Sequence, residues 1–413
     1  MSRTARFRFS HTRKIDSAYR YVSEAADAGV IFNTGHGPNG RFVTVDGARY
    51  KNFGSCSYMA LEAHPALRAG AAAALEAYGT QFHFSRAYVE SPLYQELENA
   101  LEAITGRPTL VAASTTLAHL SALPVLVQDD DVVLIDQFAH ASLHMATELL
   151  KGTIVERVRH NRMDVLEDKI KAHRRSGRTI WYVCDGVYSM LGDFADFAAL
   201  KELLARYPEL HLYIDDAHAV SWAGNHGRGV ALTHLGDSER VVVALSLNKA
   251  FSGAGGALAV PHVGVRTRIR RCGGTMVFSG PIQPPMLGAS LASAKLHLDP
   301  GFAALQAELE QRLRVAREAI ARHHLPVATT DSTPIVMVQF DSAERARSTV
   351  KEMMERGYYC CFSSFPAVPI DRPSLRFTLS RHNDLADVPR FVENLAEVVA
   401  RRRETSAVAV AAL

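Results

Sequence analysis

The chain has 413 residues, of which 47% are hydrophobic and 22% are charged, and its formal net charge at pH 7 is +3. This length exceeds the usual size of one hydrophobic core and predicts a large domain with a smaller one. The small net charge gives no electrostatic reason to expect nucleic acid as a partner.

The five cysteines are odd in number, and none belongs to a C-x-x-C pair. Such usage favours free thiols in a reducing compartment, and we expect a cytoplasmic protein. The longest apolar string, residues 117–127, contains His119 and Ser121. It stops well short of the roughly 18 apolar residues that a membrane span needs, so we expect no span.

In chain order, residues 1–55 form an N-terminal segment that opens with a basic stretch. Basic residues run from Arg3 to Lys14 before the first acidic residue, Asp16. A transit peptide can have this composition, but the stretch lacks an apolar signal core and contains little serine. It is therefore predicted to be a basic, partly disordered arm.

Residues 56–298 alternate short apolar runs with helical patterns and are predicted to form the large domain. Helical stretches include 91–104, where Ser91 is a plausible N-cap and Pro92 the first helical residue, and 197–207. The alternation implies parallel strands with both faces of the sheet covered, and ligands gather at the carboxyl ends of such strands. The predicted strands are 109–112, 132–135, 180–184, 212–214 and 241–245.

From residue 299 to 413 the pattern is that of a small α+β domain. A long helix over 302–323 leads to a strand at 335–340, and Asp341 or Ser342 can cap a helix that ends near Arg356. Strands at 358–362 and 374–379 and a final helix over 385–401 complete the domain.

A lysine follows the strand at 241–245. Ser246 and Lys249 belong to S-L-N-K-A-F, and the glycine-rich S-G-A-G-G follows directly. An amine that rigid backbone holds in a desolvated site can have a lowered pKa and form an imine with an aldehyde. A surface lysine at a helix start is the alternative.

Two carboxylates follow the strand at 212–214. Asp215 at this strand end can hold a pyridinium nitrogen protonated, and His218, three residues on, can donate to a phenolate oxygen. The pair Asp215 and Asp216 can equally bind a metal or cap a helix, although we expect no metal.

Two further strand ends carry polar side chains. Ser114, Thr115 and Thr116 follow the strand at 109–112, where backbone N–H groups and hydroxyls at a helix start make a phosphate cup. His140 follows the strand at 132–135 and can stack on an aromatic cofactor. The alternative for Ser114, Thr115 and Thr116 is ordinary helix capping, and the alternative for His140 is a hydrogen-bonded core histidine. One pyridoxal-5'-phosphate (PLP) site accounts for all four strand ends together.

These motifs resemble the α-oxoamine synthase family of fold-type-I PLP-dependent enzymes, from about Asn52 to the final helix. D-D-A-H at 215–218 with G-N-H-G-R-G at 224–229 is similar to the family's D-[DE]-[AS]-H and G-x-x-G-x-G signature. G-V-Y-S-M-L-G-D at 186–193 and A-H-A-S at 139–142 resemble two further family motifs. L-R-F-T-L at 375–379 resembles a strand whose arginine lies near the substrate carboxylate.

The resemblance implies an α/β fold with a mostly parallel seven-stranded sheet and a small C-terminal α+β domain. It implies PLP as a Schiff base on Lys249, with Asp215 on the pyridine nitrogen, His218 on the phenolic oxygen and His140 stacked on the ring. Other implied cofactor contacts are Ser114, Thr115, Thr116, Ser189, Ser246 and Ser279, and implied substrate contacts are Arg376, Cys56 and His83. Ser189 can instead be a turn former, and Arg376 an interface or surface pair.

The implied reaction is a decarboxylative Claisen condensation of an amino acid with an acyl thioester of CoA or an acyl-carrier protein, which gives an α-aminoketone. An aminotransferase, a condensing enzyme that keeps the CO2 and a non-catalytic regulator are alternatives. Fold-type-I enzymes form their sites at a two-fold dimer interface. The resemblance therefore implies a homodimer in which His83 and residues 278–280 reach the neighbour's cofactor.

The chain departs from the family pattern where substrate is expected. S-C-S-Y-M-A-L at 55–61 stands where many members have S-N-D-Y-L-G-L, so Cys56 replaces an asparagine that often approaches the substrate. G-T-Q-F-H-F-S-R at 79–86 replaces a glycine-rich loop, and the phosphate turn reads S-T-T instead of S-G-aromatic. These changes leave the cofactor residues intact. The sequence therefore does not identify which amino acid and which acyl donor the protein uses.

Overall fold

The computed structural model describes residues 12–411 apart from residues 176 and 237, so most of the predicted basic arm lies outside the described residues. The helices are α1 (Arg13–Asp27), α2 (Pro65–Tyr78), α3 (Pro92–Thr105), α4 (Thr115–Leu126), α5 (Ala141–Thr147), α6 (Met163–His173), α7 (Phe197–Arg206), α8 (Val230–Leu235), α9 (Val263–Cys272), α10 (Gly274–Val277), α11 (Pro284–His297), α12 (Phe302–Arg322), α13 (Ala343–Glu355) and α14 (Asp387–Ala411), with a 3-10 turn at Asn225–Gly227.

The strands form three sheets. They are β1 (Gly35–His36), β2 (Phe42–Val45), β3 (Ala48–Asn52), β4 (Thr109–Ala112), β5 (Val132–Asp136), β6 (Ile154–Val158), β7 (Ile180–Asp185), β8 (Leu210–Asp215), β9 (Val241–Ser246), β10 (Gly256–Ala259), β11 (Ile335–Gln339), β12 (Tyr358–Tyr359), β13 (Cys361–Ser363) and β14 (Ser374–Thr378).

The central sheet has seven strands in the order β4-β10-β9-β8-β7-β5-β6. β6, β5, β7, β8 and β9 pair in parallel, whereas β10 runs antiparallel to both of its neighbours. Alternate side chains of β5 pack on opposite faces, with Val132 and Leu134 in one apolar cluster and Val133 and Ile135 in another. Burial of both faces explains why the inner strands read as continuous apolar runs.

The predicted α/β class and mostly parallel seven-stranded sheet are confirmed. The five strands predicted for this region correspond to β4, β5, β7, β8 and β9 within two residues at each end. Two strands of the central sheet were not predicted. β6 is an edge strand with the partly exposed sequence I-V-E-R-V, and β10 is the short G-A-L-A, whose small residues carry little strand signal.

Two smaller sheets pack beside the central one. β11, β14 and β13 form an antiparallel sheet, and β1, β2, β3 and β12 form the other, with β12 parallel to β3. The prediction of a single strand over 358–362 is therefore wrong. Tyr358–Tyr359 pairs with β3, and the chain then passes to the other small sheet around the buried Cys360. The N-terminal segment thus shares a sheet with the C-terminal region, and the domain boundaries at 55 and 298 stay a prediction. No helix in the described ranges is long and apolar enough to cross a bilayer.

Candidate active site

A cavity of about 190 Å³ lies at the carboxyl ends of five strands of the central sheet that run in the same direction. Each of β4, β5, β7, β8 and β9 delivers residues to it, as expected for an open α/β sheet. The residues predicted at the four strand ends are all present. The lining consists of Ser114, Thr115, Thr116, His140, Ser142, Asp185, Val187, Asp215, Ala217, His218, Ser246, Asn248 and Lys249.

Asp215 ends β8 as a buried carboxylate that two donors hold in place. Its Oδ1 accepts from the backbone N–H of Ala217 at 3.0 Å, and its Oδ2 lies 2.9 Å from His119 Nε2. Burial alone would raise the pKa of Asp215, but the charge and hydrogen bond of His119, followed by the charge of Lys249, bring it below its ordinary value. The carboxylate is therefore ionised in spite of its burial.

His119 was missed by the sequence analysis. It lies on α4, within the apolar string 117–127 that the sequence analysis tested only as a membrane span. Its Nδ1 contacts the Tyr213 hydroxyl at 2.9 Å. A single histidine on an otherwise apolar helix that follows the phosphate turn was the available signal. Since a carboxylate only accepts, the Nε2 proton of His119 points to Asp215.

Asp185, at the end of β7, is a second buried acid in this cavity and was also missed. Its Oδ1 accepts from the backbone N–H of His140 at 3.0 Å. Burial and the nearby Asp215 raise the pKa of Asp185 well above its usual range. The His140 ring contacts Ser142 Oγ through Nδ1 at 2.6 Å, and burial lowers the pKa of His140, so the ring is neutral near pH 7.

Asp216 has a structural position rather than a place in the cavity lining. Its Oδ2 accepts from the backbone N–H of Ala231 at 3.0 Å, and burial raises its pKa to about 7. A Cβ added to Gly186 or Gly229 would lie 2.1 Å from a carboxylate oxygen of Asp216. Gly229 also has φ +90°, so the last glycine of the G-x-x-G-x-G motif is required both by conformation and by close packing.

The N-terminus of α4 carries the residues that the sequence predicts to bind phosphate, which we call the phosphate cup. Ser114 is the N-cap and accepts from the backbone N–H of Leu117 at 3.1 Å, while Thr115 Oγ1 donates to the carbonyl of Leu245 on β9 at 3.2 Å. Gly256 allows this close approach, since a Cβ there would lie 2.5 Å from Thr115 N. Hydroxyls and free helix N–H groups of this kind suit a phosphate.

His218 and Lys249 also line this cavity. His218 Nδ1 lies 2.9 Å from the hydroxyl of Tyr58, a residue that the sequence analysis did not single out. Burial, followed by the charges of Lys249 and Arg376, lowers the pKa of His218 well below its ordinary value, so its ring is neutral.

Lys249 also faces a second cavity of about 490 Å³. This substrate cavity, as we call it, includes Cys56 and shares Asn248 and Lys249 with the first cavity. Its lining consists of Asn39, Ser55, Cys56, Ser57, Glu62, Leu67, Arg68, Ala71, Asn248, Lys249, Ser252, Gly253, Met286 and Ala289.

Arg376 and Ser189 are in contact, although through the backbone of Ser189 and not through its hydroxyl. Arg376 Nε donates to the Ser189 carbonyl at 2.9 Å, and Nη2 lies 3.8 Å from Cys56 Sγ. Arg376 is therefore buried beside the substrate cavity and is not the surface pair considered as an alternative.

His83 and Ser279 do not line either cavity of the single chain. Their segments are neighbours, since Ser85 Oγ donates to the carbonyl of Val277 at 3.0 Å. Their assigned roles at a cofactor require a second copy of the chain and stay a prediction.

Comparison with known proteins agrees with this geometry. Residues 50–395 match the family model for aminotransferase class I and II. The 8-amino-7-oxononanoate synthase of Stutzerimonas stutzeri is 34% identical over 369 residues, covering 87% of this chain and 90% of that one. The Geobacter sulfurreducens protein of the same name is 32% identical over 364 residues, covering 88% and 92%. The serine palmitoyltransferase of S. paucimobilis, solved with PLP and myriocin bound, shares the fold at TM-score 0.85 and 20% identity, covering 94% and 98%.

Fold and site together define a fold-type-I PLP-dependent transferase. The chain belongs to the α-oxoamine synthase family, whose members form a carbon–carbon bond, and its cofactor is PLP. The residues present fit this group: an ionised buried carboxylate for a ring nitrogen, a hydroxyl-lined helix N-terminus for a phosphate and an amine between two cavities.

Proposed function

We propose that this protein condenses an amino acid with an acyl thioester, with loss of CO2, and that its amine Lys249 acts in both halves of the site. The observation that carries the proposal is that Lys249 lines the cofactor cavity and the substrate cavity at once. From this position one amine can hold the cofactor and afterwards remove the α-proton of the substrate.

PLP supplies an aldehyde carbon that takes up amines and a protonated pyridine ring that withdraws electrons from the substrate's α-carbon. Asp215 is proposed to hold the pyridine nitrogen protonated, since it is ionised and oriented by His119. His218 is proposed to contact the phenolic oxygen, since its neutral ring lines the cofactor cavity and the contact of Nδ1 with the Tyr58 hydroxyl orients it.

The remaining cavity residues are proposed to bind and orient the cofactor. Ser114, Thr115, Thr116 and Ser246 bind the phosphate at the start of α4, where the helix dipole favours an anion. His140 stacks on the ring, which suits a neutral imidazole more than a charged one next to a pyridinium. Arg376 anchors the substrate carboxylate, because a guanidinium can donate two parallel hydrogen bonds to it.

We further propose a homodimer. Large apolar side chains are exposed next to the segments that carry His83 and Ser279, and Tyr88 and Phe278 are 86% and 89% exposed. Large exposed apolar side chains on neighbouring segments are typical of an interaction site, and the family resemblance implies a two-fold axis that brings one copy's His83 towards the other's cofactor. Mass measurement in solution tests this, and a monomer with full activity would contradict it.

We also propose a cellular location and an acyl donor. All five cysteines are free thiols, which supports a reducing cytoplasmic location. The donor is proposed to be an acyl thioester of CoA or of an acyl-carrier protein.

Turnover assays test the proposed reaction directly. Glycine, alanine and serine labelled in the carboxyl group are each incubated with the PLP-loaded enzyme, with and without a panel of acyl-CoA thioesters. We expect one amino acid to release labelled CO2 and free thiol in equal amounts, and only when thioester is present. Release of a 2-oxo acid without thioester would instead identify an aminotransferase.

A further inference from the structure

Arg376 is a buried cation whose neighbours include no carboxylate. It is 7% exposed, and among residues 12–411 apart from 176 and 237 no acid side chain forms a salt bridge with it. Its contacts are the Ser189 carbonyl and the sulfur of Cys56. Because an unpaired buried charge is costly, this site favours an anion beside the guanidinium even before substrate arrives.

Two thiols lie close to this guanidinium, and they differ in their surroundings. Cys361 Sγ donates to the carbonyl of Gly54 at 3.6 Å, and burial raises the pKa of Cys361 in spite of the charge and hydrogen bond of Arg376. Cys56 lies 3.8 Å from Arg376 Nη2 and lines the substrate cavity. Burial alone would raise the pKa of Cys56, but the charge of Arg376, the Tyr58 hydroxyl and the charge of Lys249 together lower it.

We infer that Cys56 is the resident partner of Arg376 as a thiolate, and that the carboxylate of the incoming substrate takes its place. When the carboxylate pairs with the guanidinium, the sulfur takes up one proton from solvent, so the charge beside Arg376 is unchanged. Cys56 then sets the affinity for the amino acid and its dependence on pH. The inference rests on the proposed role of Arg376 in carboxylate binding.

The groups that face Cys56 come from several elements. Arg376 lies on β14, Cys361 on β13, and Lys249 follows β9. Tyr58 belongs to the same segment as Cys56 and contacts His218, and Glu62 lines the same cavity and is paired with His382. Arg376, Lys249 and Arg68, which lines the same cavity, favour the thiolate and Glu62 opposes it. The response of Cys56 to pH depends mainly on Arg376, which contacts the sulfur and whose charge acts on it more than that of Lys249.

Alkylation of the thiol tests the pairing without any turnover. The PLP-loaded protein is treated with iodoacetamide over a range from about pH 6 to about pH 10, and each cysteine is quantified by peptide mass spectrometry. We expect Cys56 to react with a midpoint below that of the exposed Cys272, which is an internal control in the same sample. Arg376→Met should move the Cys56 midpoint upward and leave Cys272 unchanged. Equal midpoints for the two cysteines, or no effect of Arg376→Met, would overturn the inference.

A simple carboxylate tests the competition. Propionate has no ammonium group to titrate, so its affinity reports the carboxylate site alone. In the PLP-loaded wild type its affinity should fall about tenfold per pH unit above the thiol's pKa, with uptake of one proton by calorimetry. Cys56→Ser should remove both effects, and Cys361→Ser, the matched control, should keep them. If Cys56→Ser kept the pH dependence, the inference would be wrong.

These outcomes are separable from the proposed reaction. If the alkylation and propionate results appear as expected but no thioester-dependent CO2 is released, the condensation fails and the thiolate pairing is retained. If CO2 is released but Cys56 behaves like Cys272, the condensation is retained and the pairing is refuted.

Discussion

His119 Nε2 lies 2.9 Å from Asp215 Oδ2, and the other nitrogen of the same ring contacts the Tyr213 hydroxyl at 2.9 Å. The imidazole thus connects α4, whose first turn is the proposed phosphate cup, to the carboxylate at the end of β8. It both fixes the orientation of Asp215 and stabilises its ionised form. His119 does not line the cavity itself, and we regard it as the main support of Asp215, the residue proposed to bind the pyridine nitrogen.

His119→Phe should weaken PLP binding by about 5- to 150-fold. The substitution keeps a ring of similar size but leaves Oδ2 of Asp215 without its donor, which costs roughly 1–3 kcal/mol. Tyr213→Phe is the matched control, since it removes only the outer hydroxyl and should have the smaller effect. PLP affinity is measured by equilibrium dialysis of the apoprotein, and equal affinities for His119→Phe and wild type would contradict this role.

Gly256→Ala should disturb the phosphate cup. The new Cβ would lie 2.5 Å from Thr115 N, so the turn at the start of α4 must shift, at a cost of about 1–3 kcal/mol. Gly35→Ala is the control, because Gly35 is exposed on β1 and no heavy atom lies within 4 Å of a Cβ there. We expect reduced PLP affinity for the first variant only, measured by the same dialysis. A Gly256→Ala protein that binds PLP normally would show that the close approach is not needed.

Arg376→Lys should raise the KM for the amino acid at least about tenfold and leave PLP binding unchanged. An ammonium cannot donate two parallel hydrogen bonds to a carboxylate, and the lysine side chain loses the contact with the Ser189 carbonyl. Steady-state kinetics with the active amino acid and thioester check this expectation. An unchanged KM would place the carboxylate anchor elsewhere.

His160 should make stability depend on pH in the alkaline range. Its Nδ1 lies 3.1 Å from Asp136 Oδ1 and its Nε2 lies 2.8 Å from Asp193 Oδ2. Burial opposes the charge, but the two carboxylates raise the pKa of His160 from 6.5 to about 9. The stabilisation, roughly 3 kcal/mol, is therefore complete below about pH 6.5 and is lost as pH rises from there through about 9.

Urea unfolding of wild type and His160→Gln at several pH values measures this effect. The difference in unfolding free energy between the two proteins should be largest at about pH 6 and shrink towards about pH 10. A difference that does not change with pH would mean that His160 is not held in its charged form.

The sequence could predict the parts of the fold that rest on local patterns. The five inner strands are buried on both faces, so their apolar runs identify them, and the polar residues at their ends follow directly. β6 and β10 lack that pattern. The pairing of Tyr358 and Tyr359 with Lys51 and Asn52 joins residues about 300 positions apart, and no local signal encodes it.

The same limit explains which site residues were found. Lys249, Asp215 and His140 stand at strand ends, where position alone suggests a role. His119 and Tyr58 act on the cavity from other elements, and their partners, Asp215 and His218, become known only when the elements pack together. The resemblance to the family added the roles of Ser189 and Arg376, which spacing alone does not indicate.

The central claim is that one PLP site is built around Lys249. The PLP-loaded protein is reduced with borohydride, which fixes the cofactor to the lysine that holds it, and the digested peptides are mapped by mass spectrometry. We expect the cofactor-derived mass on the peptide that contains Lys249, and none in Lys249→Ala. A label on another lysine, or no label on the wild type, would contradict the site described above.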